Sequence, residues 1–537
     1  MLQLASLGSQ DVYFTNNPER TLFKKMYKRY TNFSTETVQL AFDSGNLEFG
    51  GTSTVVVDKL GDLIYKLILV IKLDKNTTKN WGYVEDLGHA IIDNINITIG
   101  QEEIDIHYQD WIHIYNQLYR NPSHDNKYNE MIGNVSKLKT IDNDKDEYTL
   151  YIPLHFWHTK NSNLTFPICS TNSNLFQVKV TLRNASDIIN YKYNADIDTS
   201  DYPLILSSYI LVDYIFLDTQ ERTLFINNDH EYLIETMDDM TDSINSSNPK
   251  INLIFDKPSK YLIWCVQLER YYERNNYLSW AFDGDWEKAK DNFAKLIWLA
   301  TRQGLSVEDT SNPTITFSGT FINIGESPGL ISGGNTLLES LVSKVDALLL
   351  FAETIDSNIV GKANIDNVVL TKNNITFEDM SYTLEELKGY NGTTTQDTFL
   401  DINSYSVVDI FNYGNYVNRS DNPIITSQLV LNGREKFQER DGNYFNNLTC
   451  YRYFANAPDD GINVYPFSLK PMNTEPTGTL NLNYIENKDL TLKLGKNGIT
   501  STSYFNDFFK NGRIRIFSYN YSLLKVSYNK DVASLLY

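Results

Sequence analysis

Ile95–Tyr119 reads INITIGQEEIDIHYQDWIHIYNQLY, and Ser427–Tyr453 reads SQLVLNGREKFQERDGNYFNNLTCYRY. Each begins with an alternating or apolar run that suits a strand. Each turns at a glycine, Gly100 or Gly433, with an acid two residues on, Glu102 or Glu435. Each resumes as a short strand pattern and enters an aromatic segment with helical spacing: Trp111, Tyr115, Leu118 and Tyr119 in one, Tyr444, Phe445 and Leu448 in the other. A strand–tight turn–strand–helix unit met twice points to a duplicated domain. Two ordinary hairpins can resemble each other by chance, but a second echo favours duplication. Asp62–Leu73 (DLIYKLILVIKL) precedes the first unit and Ser259–Glu269 (SKYLIWCVQLE) precedes the second. Both are β-branched or aromatic runs continuous enough to be central strands buried on both faces.

The totals agree with a β-rich chain. At 537 residues, two domains of unequal size fit. The 36 Tyr, the 27 Phe and the shortage of long helical patterns favour strands and loops. A formal charge of −20 argues against broad binding to nucleic acid, because neutralising phosphates requires a basic face. Cys169, Cys265 and Cys450 are widely spaced with no CxxC, which predicts buried free thiols rather than a disulfide framework or a zinc site. The first residues, MLQLASLGSQD, lack a basic, apolar leader, and no apolar run approaches 18 residues. The expectation is a soluble chain made in the cytosol.

In chain order, residues 1–30 read as an arm. Pro18–Tyr30 is predicted to be a short helix with Pro at its first turn. It carries Arg20, Lys24, Lys25, Lys28 and Arg29 interleaved with Leu22, Phe23, Met26, Tyr27 and Tyr30. Such a basic, aromatic segment on an acidic chain suits an acidic partner or an anionic lipid surface, or a helix packed on the domain by its aromatics. Eight strand candidates follow: Ser34–Phe42, Thr52–Asp58, Asp62–Leu73, Ala90–Ile99, Glu103–His107, Glu147–Pro153, Asn174–Leu182 and Leu204–Leu217. Eight strands with one embedded helix suit an antiparallel sandwich, with a jelly roll as the leading candidate. Asp218–Asn228 reads as a helical link. A second series of about eight strands then runs from Glu231–Thr236 through Ile251–Asp256, Lys260–Glu269, Ile424–Leu431, Glu435–Gln438, Val464–Lys470 and Gly478–Ile485 with Leu490–Leu494 to Arg513–Tyr528. The stretch at about 271–423 is an insertion in one loop of that second roll. It is predicted to hold a helix over Asp285–Thr301 and strand-like runs at Thr314–Ile324, Ala347–Ile355 and Val368–Phe377. The partition is therefore an arm at 1–30, a first roll at 31–218, a link at 219–229 and a second roll at 230–537. The fold class is all-β: two consecutive eight-stranded antiparallel jelly rolls, with short helices in loops.

Several segments spread over nearly the whole chain resemble the double jelly-roll major capsid proteins of the nucleocytoplasmic large double-stranded DNA viruses, the giant viruses and phycodnaviruses. They are GSQDVYFTNNPERTLFKKMYKRYTNFSTETV near the start, YIPLHFWHTKNSNLTFPI at Tyr151–Ile168, LDTQERTLFINNDHEYLIET at Leu217–Thr236, LNGREKFQERDGNYF at Leu431–Phe445, GINVYPFSLKPMNTEPTGTLNLNYIEN at Gly461–Asn487 and RIFSYNYSLLKV at Arg515–Val526. Their order and spacing together carry the match. Two departures are the expanded loop of the second roll and His158, where the family more often has an aromatic residue. The resemblance implies a homotrimer of six rolls that tiles an icosahedral shell as a near-hexagonal capsomer. It also implies an arm on the inner side, near minor capsid proteins and an internal membrane, which suits Arg20, Lys24, Lys25, Lys28 and Arg29. The protein is then expected in the virion after synthesis in the host cytoplasm.

Jelly rolls also host metal enzymes. That chemistry needs two His at i, i+2 on one strand with a carboxylate and a third His. Among seven His, His107 and His113 are six apart, and His155 and His158 are three apart, on opposite faces if they share a strand. No nucleophile elbow, phosphate loop or zinc-protease motif occurs. The expectation is no enzyme, no metal and no cofactor. Asp283–Gly284–Asp285 reads as a turn and Asp238–Asp239 as a solvated loop. Sequons occur at Asn76, Asn163, Asn245, Asn374, Asn391, Asn418 and Asn447, with Asn391 and Asn418 the best-placed glycosylation candidates. The alternative function is a surface module on a jelly-roll scaffold that binds a receptor or glycan. Its candidate sugar platforms are Tyr277, Trp280 and Trp286, residues that also suit a core.

Overall fold

The computed structural model describes residues 8–19, 21–24, 28–77, 79, 81–140, 143–171, 176–191, 198–272, 278–282, 305–307, 315–317, 421–495, 509, 511–526 and 533–536. Eight principal strands form the first pair of sheets: β1 (Phe33–Ala41), β2 (Thr52–Val56), β3 (Leu63–Leu73), β4 (Ile92–Ile99), β5 (Glu102–Tyr108), β6 (Tyr148–Leu154), β7 (Phe176–Leu182) and β8 (Ile205–Leu217). Eight more form the second pair: β9 (His230–Ser243), β10 (Lys250–Asn252), β11 (Pro258–Gln267), β12 (Ile424–Leu431), β13 (Arg434–Asp441), β14 (Asn463–Pro466), β15 (Lys488–Leu494) and β16 (Arg513–Val526).

The spatial orders are β1-β8-β3-β6 and β2-β7-β4-β5 in the first pair, and β9-β16-β11-β14 and β10-β15-β12-β13 in the second. Adding eight to each label of the first pair reproduces the second. Every ladder among these strands is antiparallel. This is the jelly-roll order twice over. The two apolar runs take the places that their composition demands. β3 lies between β8 and β6, and β11 lies between β16 and β14. In β11 every residue after Pro258 is buried. β7, by contrast, alternates buried and more exposed positions, as a strand with one core face must.

The two hairpins close with two-residue turns. Asn432 and Gly433 both have positive φ (47° and 76°), the type I′ pattern that matches strand twist. In the first hairpin only Gly100 does (68°), the type II′ pattern. The first roll's core lies between its sheets, with Leu67, Leu69, Ile95, Ile97, Val178 and Val212 buried in one cluster. In the second roll Trp264 bridges the sheets. Its ring meets Phe445 at 5.0 Å, and its Nε1 donates to Ser427 Oγ at 3.1 Å.

Several expectations are corrected. No described residue between 18 and 30 is helical; the arm's helix is α1 (Ser9–Thr15), upstream of Pro18. Leu22 and Phe23 stand exposed among the described residues, and an isolated helix of that length is marginal in water. β10, β14 and the Gly478–Ile485 run are shorter than their apolar patterns, the last reduced to Leu480–Asn481 pairing with Pro258–Ser259. β9 runs seven residues beyond Thr236, because β16 pairs with it along its whole length. Of the 271–423 insertion, Leu305–Val307 and Ile315–Phe317 form a short ladder. The expected helix at Asp285–Thr301 and the runs Ala347–Ile355 and Val368–Phe377 lie outside the described residues. The link is helical as expected, α4 (Thr219–Asn227), with Asp218 as its N-cap accepting from Thr219 N.

Candidate functional site

The two rolls meet along a buried seam. Its wedge is α3 (Gln109–Tyr119), the helix that follows the first hairpin. Asp110 sits in its first turn, where a carboxylate suits the helix dipole, and Asn121–Pro122 stops it. Apolar residues cover more than one face, as in a helix buried on two sides. Ile112 packs into the first roll's core. Trp111, Ile114, Tyr115 and Leu118 form a second core with Met237, Tyr261, Ile263, Cys265, Phe517 and Tyr519 of the second roll. The Trp111 ring stacks on Tyr519 at 5.2 Å, and Tyr119 Oη meets Tyr261 Oη at 3.0 Å.

Buried ions cross the same seam. Glu235 on β9 accepts from Lys160 at 2.9 Å, from Lys260 on β11, and from Tyr519 Oη at 3.0 Å. Burial, the largest single effect, pulls Lys160 down, but Glu235, Tyr115 and Asp105 together outweigh it and hold the ammonium above the ordinary lysine value. For Lys260 burial prevails over Glu235, and its ammonium is pushed below that value. Arg515 on β16 bridges Asp110 at 3.0 Å and Asp239 at 3.1 Å. Asp105 on β5 accepts from Met237 N at 3.1 Å and from the His107 ring at 3.0 Å. Each carboxylate has a cation or donor, which is the condition for charge in a low-dielectric seam.

The sequence reading missed this seam because its members are far apart in the chain. One signal was present: Lys260 brings a charge into a mostly apolar buried strand, and such a charge requires a partner. Asp238 and Asp239 are on β9, not in a solvated loop; Asp238 pairs with Lys257 at 2.9 Å. His155 lies just beyond β6 and His158 in the short helix Trp157–Lys160, so the two do not share a strand. His158 is buried and His155 partly so, and desolvation lowers them to about 4 and about 3. The His158 ring contacts Trp157 and Phe176 edge-on, an environment that suits an aromatic.

Of the arm residues, Lys24, Lys28 and Arg29 are exposed beside Leu22, Phe23 and Tyr30, whereas Arg20 and Lys25 lie outside the described residues. Asn391 and Asn418 also lie outside them, as do Tyr277, Trp286, Asp283 and Asp285. Trp280 is buried in the seam core and is not a surface platform. The sequon residue Asn76 is buried as well. One set of side chains that no sequence spacing joined does converge: Asp86, His89 and His113, all buried, with ligand atoms within 4.8 Å of one another. They line a cavity of about 280 Å³ that reaches Asn456 and Asp459 of the second roll.

Comparison with known proteins bears on the whole chain. Residues 21–218 match the family described as major capsid protein N-terminus, and residues 221–531 match that of large eukaryotic DNA virus major capsid protein. The chain is 28% identical to the major capsid protein of Phaeocystis pouchetii virus, over 98% of this chain and 97% of that one. It is 29% identical to capsid protein 1 of Acanthamoeba polyphaga mimivirus, over 98% of each. Its fold resembles the quasi-atomic structure of the PBCV-1 virus capsid (TM-score 0.62, 23% identity, 96% of this chain and 100% of the other). It also resembles the Faustovirus major capsid protein (TM-score 0.62, 10% identity, 97% and 95%). The chain belongs to the family of large eukaryotic DNA virus major capsid proteins: it is a structural protein of the virion shell and not an enzyme.

Proposed function

We propose that this capsid protein assembles as a homotrimer whose six rolls make a pseudo-hexagonal capsomer of an icosahedral shell. The observation that carries the reading is the repeated strand order, locked into one block by a buried aromatic and ionic seam. Two like rolls per chain give a three-fold assembly six similar corners, and closed symmetry favours such a block over an open chain. A rigid seam fixes the angle between the rolls before neighbouring copies meet. In this reading the units are the arm at 1–30, the rolls at 31–218 and 230–537, the link at 219–229, and an outward insertion at about 271–423.

The arm is assigned to the inner face, where it meets minor capsid proteins or an anionic membrane. Exposed Lys24, Lys28 and Arg29 supply charge, and Tyr13, Phe14, Leu22 and Phe23 supply apolar surface that nothing covers among the described residues. Arg20 and Lys25 extend the same basic run in sequence. Light scattering of the purified chain at low and moderate salt tests the assembly. A mass of three chains that survives dilution supports the capsomer, and a stable monomer counts against it. Removal of residues 1–30 is expected to leave the trimer intact and to abolish its sedimentation with anionic vesicles.

A further inference from the structure

The cluster of Asp86, His89 and His113 lies outside the seam contacts used above, and its chemistry is that of a ligand set. His89 belongs to α2 (Leu87–Ala90), Asp86 precedes it, and His113 comes from the middle of α3. His89 Nδ1 faces His113 Nδ1 at 3.4 Å, and His113 Nδ1 lies 3.6 Å from Asp86 Oδ2. A tetrahedral zinc with bonds of about 2.0–2.1 Å sets its ligand atoms about 3.3–3.4 Å apart. Two imidazoles that only shared a hydrogen bond would close to roughly 3 Å.

The outward atoms of all three side chains are also held. Asp86 Oδ1 accepts from Asn134 Nδ2 at 2.7 Å, His89 Nε2 meets Tyr128 Oη at 2.8 Å, and His113 Nε2 meets Gln117 Nε2 at 2.8 Å. Such outer contacts orient metal ligands. The cavity beside them carries the carboxylates of Asp86, Asp125 and Asp459 against one guanidinium, Arg120, so its lining favours a cation.

We propose that Asp86, His89 and His113 bind a divalent transition-metal ion of the zinc class, with the fourth position open to the cavity. Two imidazoles and one carboxylate suit zinc better than magnesium or calcium, which prefer oxygen. Binding is coupled to the seam. Gln117 Nε2 donates to Asp459 Oδ2 at 2.5 Å as well as to His113 Nε2, and Gln117 Oε1 accepts from Asp459 N at 2.9 Å. With both Gln117 Nε2 protons donated in this way, the His113 ring proton sits on Nδ1. The metal takes that position, the proton passes to Nε2, and the Gln117 amide turns over to accept it, giving up its bonds to Asp459. The ion ties α2 to α3 and loosens one polar link to the second roll.

The test uses the full chain, stripped with a chelator and titrated with Zn2+ and with Co2+. The expected result is one equivalent per chain, the intense visible bands of four-coordinate Co2+, and a melting temperature that rises with Zn2+ concentration. Asp86→Asn, His89→Gln and His113→Asn are each expected to weaken binding at least tenfold. Absence of saturable binding, or a pale six-coordinate Co2+ spectrum, overturns the proposal without any variant. Binding that survives all three ligand substitutions in chains still folded by circular dichroism overturns it as well, and leaves the pair as hydrogen-bonded histidines.

Discussion

α3 and the segment Tyr444–Tyr453 occupy the same place in the two rolls, after the second strand of the repeated hairpin, yet they live in different surroundings. Nine of the eleven residues of α3 are buried, because it is wedged between the rolls. Its counterpart opens as a wide π turn (Tyr444–Leu448) before α5 (Thr449–Tyr453). That segment buries Phe445, Asn446, Thr449 and Cys450 but leaves Tyr451 83% exposed. Cys450 and Phe454 join the same seam core that holds Trp111 and Tyr115. The duplication therefore preserved the path of the chain, while side chains decided which copy became the wedge and which kept a solvated side.

The largest expected difference tests that asymmetry. Trp111→Ala removes a ring packed against Tyr115, Phe517 and Tyr519, and is expected to cost about 3–5 kcal/mol, read as a lower urea midpoint. Glu235→Gln follows at about 3 kcal/mol, because it leaves Lys160 and Lys260 buried without their shared countercharge. Replacing both lysines with methionine in that background should recover much of the loss, and a failure to recover would show that Glu235 matters through packing alone.

The pH effect comes next, and near neutrality it rests on histidines of the first roll. His155 faces Tyr115, Lys160 and His107, and His158 Nδ1 donates to Tyr65 O. Both titrate lower when folded than the ordinary 6.5, so the unfolded chain binds more protons between those values. Their contribution is fully present above pH 6.5 and is lost as pH falls toward 4. The expected loss is about 1–2 kcal/mol over the first pH unit below 6.5. Urea midpoints at pH 7.0, 6.0 and 5.5 measure it, and His158→Phe should flatten the slope. A smaller effect belongs to the turn: Gly433→Ala has room for its methyl group but must hold φ near 76°, at about 1 kcal/mol. Smallest is Tyr451→Ser, expected within about 0.5 kcal/mol in the isolated chain. A large effect on assembled trimers alone would mark Tyr451 as a contact between copies.

Much of the architecture was legible in the sequence because strand formation here is governed by local signals. Period-2 alternation, two unbroken apolar runs and turn glycines placed all eight strands of the first roll within a few residues. The ends of β9, β10 and β14 were not legible, because a partner strand or its absence sets a strand's length. The arm's helix was misplaced for a related reason: amphipathic spacing predicts a helix only where something receives its apolar face.

By itself, the sequence determined the duplication, the two-sheet class and the acidic surface, since each follows from composition and periodicity along the chain. Tertiary structure alone decided that Glu235 meets Lys160 and Lys260, that Asp110 meets Arg515, and that Asp86 and His89 meet His113. Those contacts join residues up to about four hundred positions apart, and no local rule carries information over that separation. Burial turns the charges around Glu235 and Arg515 from ordinary surface charges into polar pins of the seam, because in a low dielectric each must find its partner.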